Sequence, residues 1–463
     1  MRRRSLLMLS VVLLASLLAV GTSSAQDTGE PEGPQFFVDE STLPFEPLPG
    51  FEDAEQGWGV WRGAAYRYEI PADWNGDLVM WAHGFRGDVP ELTVDNLPFR
   101  EYALSQGYAW AASSYDRNGY DILSGALSTK ILASYMGRRV LDHWPDRIYL
   151  SGASMGGHVT GYSMERYRWL YDGALPVCGV MGDYELFDYF LSFNLGAQQL
   201  GTGTSAFPVD PLAYVGATVP AIKAALEFAP DGWPTVLNET GETFKQFAEL
   251  ESGGDRPNFD EAWFFWNTFP DNGTGPGNFL FDLGLGDGTL PNSGGQNVVD
   301  NSHDVYQLDL DPAVSEEEAA FNDAIARVTA HPSARKNEAI TGRISDPVLS
   351  LHNLGDLFVP FGMQIDYAED VASWGREHLL VQRAIRGSGH CDFTLAEYEQ
   401  AFADLVTWVE DDVRPEGDPI LDPAAVAAPD YGCRFTDPTP GAHLFAAPCP
   451  GDEPPAPPTE PSE

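Results

Sequence analysis

The sequence predicts an α/β fold, in which helices cover both faces of a mostly parallel central sheet. Short apolar runs such as Asp77–Ala82 and Arg147–Leu150 alternate with polar or helical stretches, a rhythm typical of parallel strands joined by helices. Between residues 183 and 345 the rhythm stops, and this stretch is too long for a loop. The sequence therefore also predicts a large cap subdomain inserted between two strands.

The individual elements follow from apolar spacing and from capping residues. A first strand run is predicted from Val60 to Ile70. Before the run at Arg147, apolar spacing predicts a helix with Leu123, Leu127 and Ile131 on its buried face. The further candidates are strands at Tyr108–Ala112, Ala174–Val180, Val348–Leu351 and Leu379–Gln382, and a late helix begun by the capping box of Thr394 and Glu397.

The first residues indicate the compartment. Arg2, Arg3 and Arg4 precede an apolar run and a small-residue cleavage site, which is the order of a secretory signal peptide. The mature protein is therefore predicted to be secreted, either extracellular or periplasmic. The predicted segments are a signal peptide at 1–25, a Pro- and acid-rich leader at 26–50, the α/β core at 51–182 and 346–415, the cap at 183–345, and a Pro- and acid-rich tail at 416–463.

The composition excludes several kinds of partner. The 463 residues include 69 Asp and Glu against 26 Lys and Arg, which gives a formal net charge of -43. A field of this sign repels phosphate backbones, so nucleic acids and anionic membranes are excluded as main partners. No second apolar run of membrane-spanning length follows the signal peptide, which predicts a soluble mature protein without membrane attachment.

The four cysteines are disulfide candidates, because export permits disulfides and four cysteines allow three complete pairings. Cys433 and Cys449 lie close together in the tail, where a bridge would clip a weakly packed segment. Cys178 and Cys391 are far apart in sequence and would have to meet in the fold.

No metal or cofactor is predicted. The sequence has no C-x-x-C and no close Cys/His spacing of the zinc-site type. The acid-rich stretches Asp282–Asp287 and Asp300–Asp311 lack the spacing of an ordered calcium loop, so they are interpreted as turns.

A candidate nucleophile lies in the pattern Gly152-x-Ser154-x-Gly156, directly after the strand candidate at Arg147–Leu150. The glycines permit the tight strand-to-helix turn that exposes a serine hydroxyl, and the following helix N-terminus favours a developing anion. The strand before the pattern and the helix after it are the context that gives an otherwise common pattern its meaning.

A serine hydroxyl needs a base and a group that orients the base. Asp356 follows the strand candidate at 348–351, and His390 follows the one at 379–382. Ser154, Asp356 and His390 therefore form a candidate catalytic triad in the chain order Ser, Asp, His. Asp366 and Asp370 are rivals for the acid, but their helical stretch favours solvated side chains.

The oxyanion formed by such a serine needs two backbone amide donors. Met155 follows the nucleophile and supplies one amide. The loop after the early strand reads His83-Gly84-Phe85, so the second donor is assigned to the Phe85 amide, with Gly84 as the alternative.

These motifs together resemble the α/β-hydrolase superfamily. The narrower resemblance is to exported bacterial hydrolases of the prolyl-oligopeptidase-like and esterase type, which carry L-P-x-C-G and G-H-C-x-F-T at matching places. The resemblance implies an α/β-hydrolase fold, serine-hydrolase chemistry and a bridge between Cys178 and Cys391. It is carried by Trp81–Gly87, Arg147–Gly157, Gly173–Gly179, Leu351–Pro360 and Gly387–Thr394.

The predicted function is cleavage of small-molecule or polymeric carboxylic esters with aromatic or hydrophobic acyl groups, through an acyl-enzyme. An amidase or peptidase with the same triad is the nearest alternative, and a non-catalytic surface-binding or glycan-binding protein is another. The cap aromatics have two interpretations, the cap's own core or an apolar wall above the serine, and Tyr115 is a further candidate for the pocket. These cap residues are Trp263, Phe264, Phe265, Trp266 and Phe269.

Overall fold

The computed structural model describes residues 36–228, 236–335 and 338–451. The predicted signal peptide lies outside the described residues. Eight strands form one sheet: β1 (Glu55–Trp61), β2 (Ala64–Ile70), β3 (Leu78–Ala82), β4 (Ala109–Ser113), β5 (Ile148–Ala153), β6 (Gly173–Val177), β7 (Val348–Asn353) and β8 (Leu380–Ile385). Their order is β1-β2-β4-β3-β5-β6-β7-β8; β2 is antiparallel to both neighbours, and the remaining pairs are parallel.

Helices lie between the strands and in the long segment between β6 and β7, for which the name cap is kept. None of the described helices is both long enough and apolar enough to cross a membrane. Their bounds are α1 (Arg100–Ser105), α2 (Ile122–Tyr135), α3 (Met155–Arg166), α4 (Glu185–Thr202), α5 (Pro211–Ala213), α6 (Val219–Ala225), α7 (Glu239–Glu251), α8 (Phe259–Trp266), α9 (Phe279–Asp282), α10 (Glu316–Ala324), α11 (Gly362–Ser373), α12 (Leu395–Asp411) and α13 (Pro423–Val426).

The sheet is buried on both faces. Alternate residues of β3 contribute to two different cores, Leu78 and Met80 to one, Val79 and Trp81 to the other. The first core is closed by α2, α3 and α11, and the second by α1 and α12. A mostly parallel sheet covered in this way, with a serine turn after β5, has the α/β-hydrolase fold.

The segment between β6 and β7 has an apolar core of its own. Helices α4 and α6 to α10 contribute to it, and several of its aromatic side chains are almost completely buried. Among them are Phe193, Phe244, Phe247 and Trp263.

The first strand run is a hairpin rather than one strand. Arg62 and Gly63 both have positive φ, 54° and 89°, and form the two-residue turn that separates β1 from β2. A turn with two left-handed residues matches the twist of antiparallel strands. Arginine is uncommon at a position with positive φ. The residues between Val60 and Ile70 therefore did not indicate that a turn divides the run into two strands.

Helix α2 is where the sequence predicted a helix, but a different face is buried. Leu127 is 48% exposed, whereas Gly125 and Ala126 are buried. A Cβ added at Gly125 would lie 2.7 Å from Cγ2 of Val159 on α3. Small residues therefore allow α2 and α3 to approach closely. The buried face predicted from the apolar periodicity was wrong.

This packing makes Gly125 more sensitive to substitution than Leu127. We expect Gly125→Val to lower the free energy of unfolding by about 1–3 kcal/mol, because the added atoms overlap Val159. Leu127→Ala, on the exposed side of the same helix, should change the free energy of unfolding by less than about 0.5 kcal/mol. Urea denaturation of both variants measures the difference, and a larger loss for Leu127→Ala would contradict the assigned face.

Asp366 on α11 is not the solvated acid that the sequence favoured. Burial is the main cause that raises its pKa to about 8, and nearby negative charges contribute to the same rise. These charges belong to Glu185, Glu369, Asp370 and Asp183. The carboxyl group is therefore protonated over much of the neutral range. The sequence could not predict this, because Asp183 and Glu185 come from the distant start of α4.

Stability should therefore fall as the pH rises through about 8. The folded-state pKa of Asp366 lies above its unfolded value, so its contribution is fully present at low pH and is lost as the folded carboxyl ionises. Asp366→Asn cannot ionise, and we expect its free energy of unfolding to decrease less between pH 6 and pH 9. Urea denaturation at both pH values measures this, with the exposed Asp411→Asn as the control. An unchanged pH dependence in Asp366→Asn would contradict the assignment.

The tail is packed more firmly than the sequence indicated. Arg386, just after β8, is 1% exposed and donates to the backbone carbonyls of Tyr431 and Pro448 at 3.0 and 2.6 Å. Cys433 and Cys449 form a disulfide that closes this segment. The tail therefore lies against the loop that follows β8, which is the loop that carries His390.

Candidate active site

Ser154 occupies a strained turn between β5 and α3. Its φ and ψ are 58° and -123°, outside the regions that non-glycine residues normally adopt. A Cβ at Gly156 would overlap the carbonyl oxygen of Ala82, so only glycine allows α3 to start this close to the end of β3. The Ser154 side chain is partly exposed at the carboxyl edge of the sheet.

Asp356 is held in a fixed orientation in the turn after β7. It is completely buried, and its Oδ1 accepts hydrogen bonds from the backbone amides of Phe358 and Val359, both at 2.9 Å. His352 fixes the same turn, because its Nε2 donates to the Val359 carbonyl at 2.8 Å. Burial lowers the pKa of His352 to about 4, so this imidazole is neutral near pH 7.

His390 contacts Asp356 directly. Its Nδ1 donates to Asp356 Oδ2 at 2.6 Å, which leaves Nε2 as the ring nitrogen available for another group. In the described part of the chain, Nε2 is buried without a hydrogen-bond partner. Ser154, Asp356 and His390 follow β5, β7 and β8, so all three lie at the edge where parallel strands end.

A disulfide joins the loop after β6 to the residue that follows His390. Cys178 and Cys391 are bonded, with their Cα atoms 5.1 Å apart. The Ser154 amide donates to the Val177 carbonyl, directly before Cys178. The disulfide therefore ties the histidine loop to the segment that is hydrogen-bonded to the serine turn.

The same two cysteines belong to a group of side chains that is compact enough to hold a metal ion. Among the described residues, the group compact enough to hold a metal ion is Cys178, His390 and Cys391, whose candidate ligand atoms lie within 4.8 Å of one another. Both sulfurs belong to the disulfide, and a disulfide sulfur is not the thiolate that binds zinc.

The loop after β3 lies against the serine turn. A Cβ at Gly84 would lie 3.1 Å from Ser154 Cβ, which places the Gly84–Phe85 backbone beside the nucleophile candidate. Met155 is the first residue of α3. The first turn of this helix is closed by a hydrogen bond from the Gly157 amide to the Ser154 carbonyl. One predicted amide donor, Phe85, therefore belongs to the loop after β3, and the other, Met155, belongs to the start of α3.

Tyr115 supports this loop and does not line a pocket, which corrects the sequence expectation. It is 1% exposed, and its hydroxyl donates to the His83 carbonyl at 2.9 Å. Its ring also stacks on the His83 imidazole, with centroids 3.9 Å apart. Burial lowers the pKa of His83 to about 3, so the pair is uncharged near pH 7.

The cap aromatics separate into two roles, and neither predicted tryptophan forms an open wall. Trp263 is 1% exposed and packs among the cap aromatics, including Phe244. Trp266 is 4% exposed, and its Nε1 donates to the Gly355 carbonyl at 2.9 Å, next to Asp356. The first belongs to the cap core and the second braces the acid turn.

The aromatic side chains beside His390 were missed by the sequence prediction. The Phe358 ring meets the His390 ring edge-on at 5.1 Å, and Phe190 on α4 stacks against Phe358 at 6.0 Å. Phe187 continues the row at 6.0 Å from Phe190. Phe358 lies two residues after Asp356, a spacing that would have identified it as a residue near the site.

No family model and no curated protein matches the sequence. The structure is similar to feruloyl esterase B from Aspergillus oryzae, with 13% identity and a TM-score of 0.45 over 78% of this chain and 80% of that chain. It is also similar to Est1E from Butyrivibrio proteoclasticus, with 13% identity and a TM-score of 0.34 over 76% and 98% of the two chains.

A third similar structure is the acylaminoacyl peptidase of Pyrococcus horikoshii. The identity is 11% and the TM-score 0.39, over 79% of this chain and 43% of that chain. Likenesses this weak carry no information about activity. The fold is shown by the strand order and the covering helices.

Proposed function

We propose that the protein is a secreted serine hydrolase that cleaves carboxylic esters through a Ser154-His390-Asp356 triad. The observation that carries the proposal is the 2.6 Å contact between His390 Nδ1 and the buried Asp356, which directs Nε2 away from the acid. The strained serine turn at the same edge of the sheet supports it. The two disulfides favour an oxidising compartment, which agrees with export.

In the proposed reaction, Ser154 Oγ attacks the ester carbonyl carbon while His390 Nε2 accepts the hydroxyl proton. The carbonyl oxygen gains negative charge and accepts hydrogen bonds from the Phe85 and Met155 amides. His390 then donates its proton to the leaving alcohol oxygen as the carbon–oxygen bond breaks, and an acyl-serine remains. Water, deprotonated by His390, releases the carboxylic acid and regenerates the hydroxyl.

Asp356 acts through His390 in this scheme. Its carboxylate accepts a hydrogen bond from Nδ1–H, so the other ring nitrogen is the base, and its negative charge stabilises the imidazolium that forms. Because Phe358 and Val359 amides hold the carboxylate, the imidazole orientation is fixed before substrate arrives. The Phe358 and Phe190 rings beside the histidine favour aromatic or hydrophobic substrates.

The first test compares an aryl ester with its matched aryl amide, using the mature protein. We expect hydrolysis of the ester and little of the amide, because amide cleavage depends more heavily on protonation of the leaving nitrogen by His390. Ser154→Ala should lower kcat on the ester by at least about 10³-fold.

Comparable rates on both substrates would make amidase or peptidase the better assignment. Unchanged ester hydrolysis in Ser154→Ala would exclude the triad. Failure of a small fluorophosphonate to label Ser154 would favour a non-catalytic binding protein.

A second prediction separates Asp356 from its rivals in sequence. Asp356→Asn should lower kcat by about 10³–10⁴-fold, because an amide in this position favours the wrong imidazole tautomer. Asp370→Asn, on the nearby helix α11, should retain near wild-type kcat. Steady-state kinetics on the aryl ester measure both variants, and similar losses in the two would contradict the role given to Asp356.

A further inference from the structure

A group of aromatic rings, two exposed and two half-buried, lies where the cap meets the tail. Phe445 of the tail contacts Phe264, Phe265 and Phe269 of the cap, with ring centroids 5.8, 5.6 and 5.2 Å apart. Phe269 is 47% exposed and Phe445 is 41% exposed. These four phenylalanines are called the aromatic rim. Contiguous exposed apolar surface of this kind is typical of a binding site.

The backbone at Phe445 is held in an unfavourable conformation. Its φ is 45°, a left-handed value that bulky residues rarely adopt. Its carbonyl accepts hydrogen bonds from the Ser388 hydroxyl at 2.9 Å and from Asn258 Nδ2 at 3.3 Å. The fold thus holds this ring at the surface in a strained backbone, and strain of this kind is concentrated at functional sites.

Aromatic contacts connect the rim to the proposed catalytic histidine. Phe265 contacts Trp266 at 5.4 Å, and Trp266 contacts Phe358 at 6.4 Å. Phe358 in turn meets the His390 ring at 5.1 Å. Ser388, which bonds the Phe445 carbonyl, lies two residues before His390. The rim is therefore on the histidine side of the site.

The histidine side of a serine hydrolase site receives the leaving group. The imidazole must protonate the leaving atom, so the alcohol portion of an ester lies beside it, while the carbonyl oxygen points to the backbone amides. A large leaving group that extends past His390 and Phe358 would run towards the rim. This argument rests on the proposed function.

We propose that the aromatic rim is a subsite for the leaving group, and that the natural substrates carry an extended, uncharged, aryl-containing alcohol. The four rim side chains are apolar, and the net charge of -43 disfavours anionic ligands. Aromatic rings prefer edge-to-face or offset contacts with other rings. The rim rings are tilted relative to one another, so they can offer such contacts to an aryl group.

The test uses benzoate esters of two alcohols. For 4-phenylbenzyl benzoate, Phe445→Ala and Phe269→Ala should each raise KM about tenfold with kcat nearly unchanged, because an aromatic contact made equally in ground and transition states is lost. For ethyl benzoate, both variants should match the wild type. Phe445→Tyr keeps the ring and should restore KM, and Trp169→Ala removes a 91% exposed aromatic as the control.

A reversed substrate distinguishes the two sides of the site. Ethyl 4-phenylbenzoate places the biphenyl in the acyl group, and its KM should not change in the rim variants. If KM rises for this ester instead, or if kcat falls equally for all esters, the rim is not a leaving-group subsite. The second of these results would mean that Phe445 only positions the histidine loop.

Binding without turnover separates this proposal from the proposed function. In a Ser154→Ala background, calorimetric titration with 4-phenylbenzyl alcohol should show binding that Phe445→Ala weakens about tenfold. Equal binding in the two proteins would overturn the subsite, whatever the activity of the wild type. A concentration-dependent dimer abolished by Phe445→Ala would also overturn it, because the rim would then be an interface between copies of the chain.

Discussion

The site depends on two backbone segments that lie so close together that neither has room for a side chain. A Cβ at Gly157 would overlap the Cα of Gly179, so the first turn of α3 lies directly on the loop after β6. This contact fixes the turn that contains Ser154. The Ser154 amide donates to the Val177 carbonyl, and the Ser154 carbonyl accepts from the Val180 amide. The unfavourable φ at Ser154 persists because bonds on both sides of the residue hold it.

The electrostatics of the site follow from burial. Burial lowers the pKa values of His83, His158 and His352 to about 3, 4 and 4, so these three imidazoles are uncharged near pH 7. The negative charge of Asp356 is therefore not neutralised by a neighbouring imidazolium. Its carboxylate contacts His390 directly, and its charge also acts on the buried guanidinium of Arg256.

The positions of residues with local sequence signatures could be predicted from the sequence, and packing between distant segments could not. Ser154, Asp356 and His390 each follow an apolar strand, and the structure places them at one edge of the sheet because parallel strands share a direction. The buried face of α2 was wrong because it depends on small residues that fit Val159, not on apolar spacing. The raised pKa of Asp366 depends on carboxylates that only the fold brings near.

The packing of the tail against the loop after β8 was even harder to predict from the sequence. Arg386 binds it through backbone carbonyls, which every residue possesses, so the bonds leave no pattern in the tail sequence. Tail side chains add to this attachment, because Thr436 Oγ1 accepts from the Arg386 amide at 2.8 Å and His443 Nε2 bonds Glu397 at 3.0 Å. Phe445 is an exception, because it is an exposed aromatic in a conformation that glycine or asparagine would adopt more easily. Attachment to the carbonyls does not require a phenyl ring there. The ring instead packs against Phe264, Phe265 and Phe269, and in the proposed subsite it would also contact the ligand.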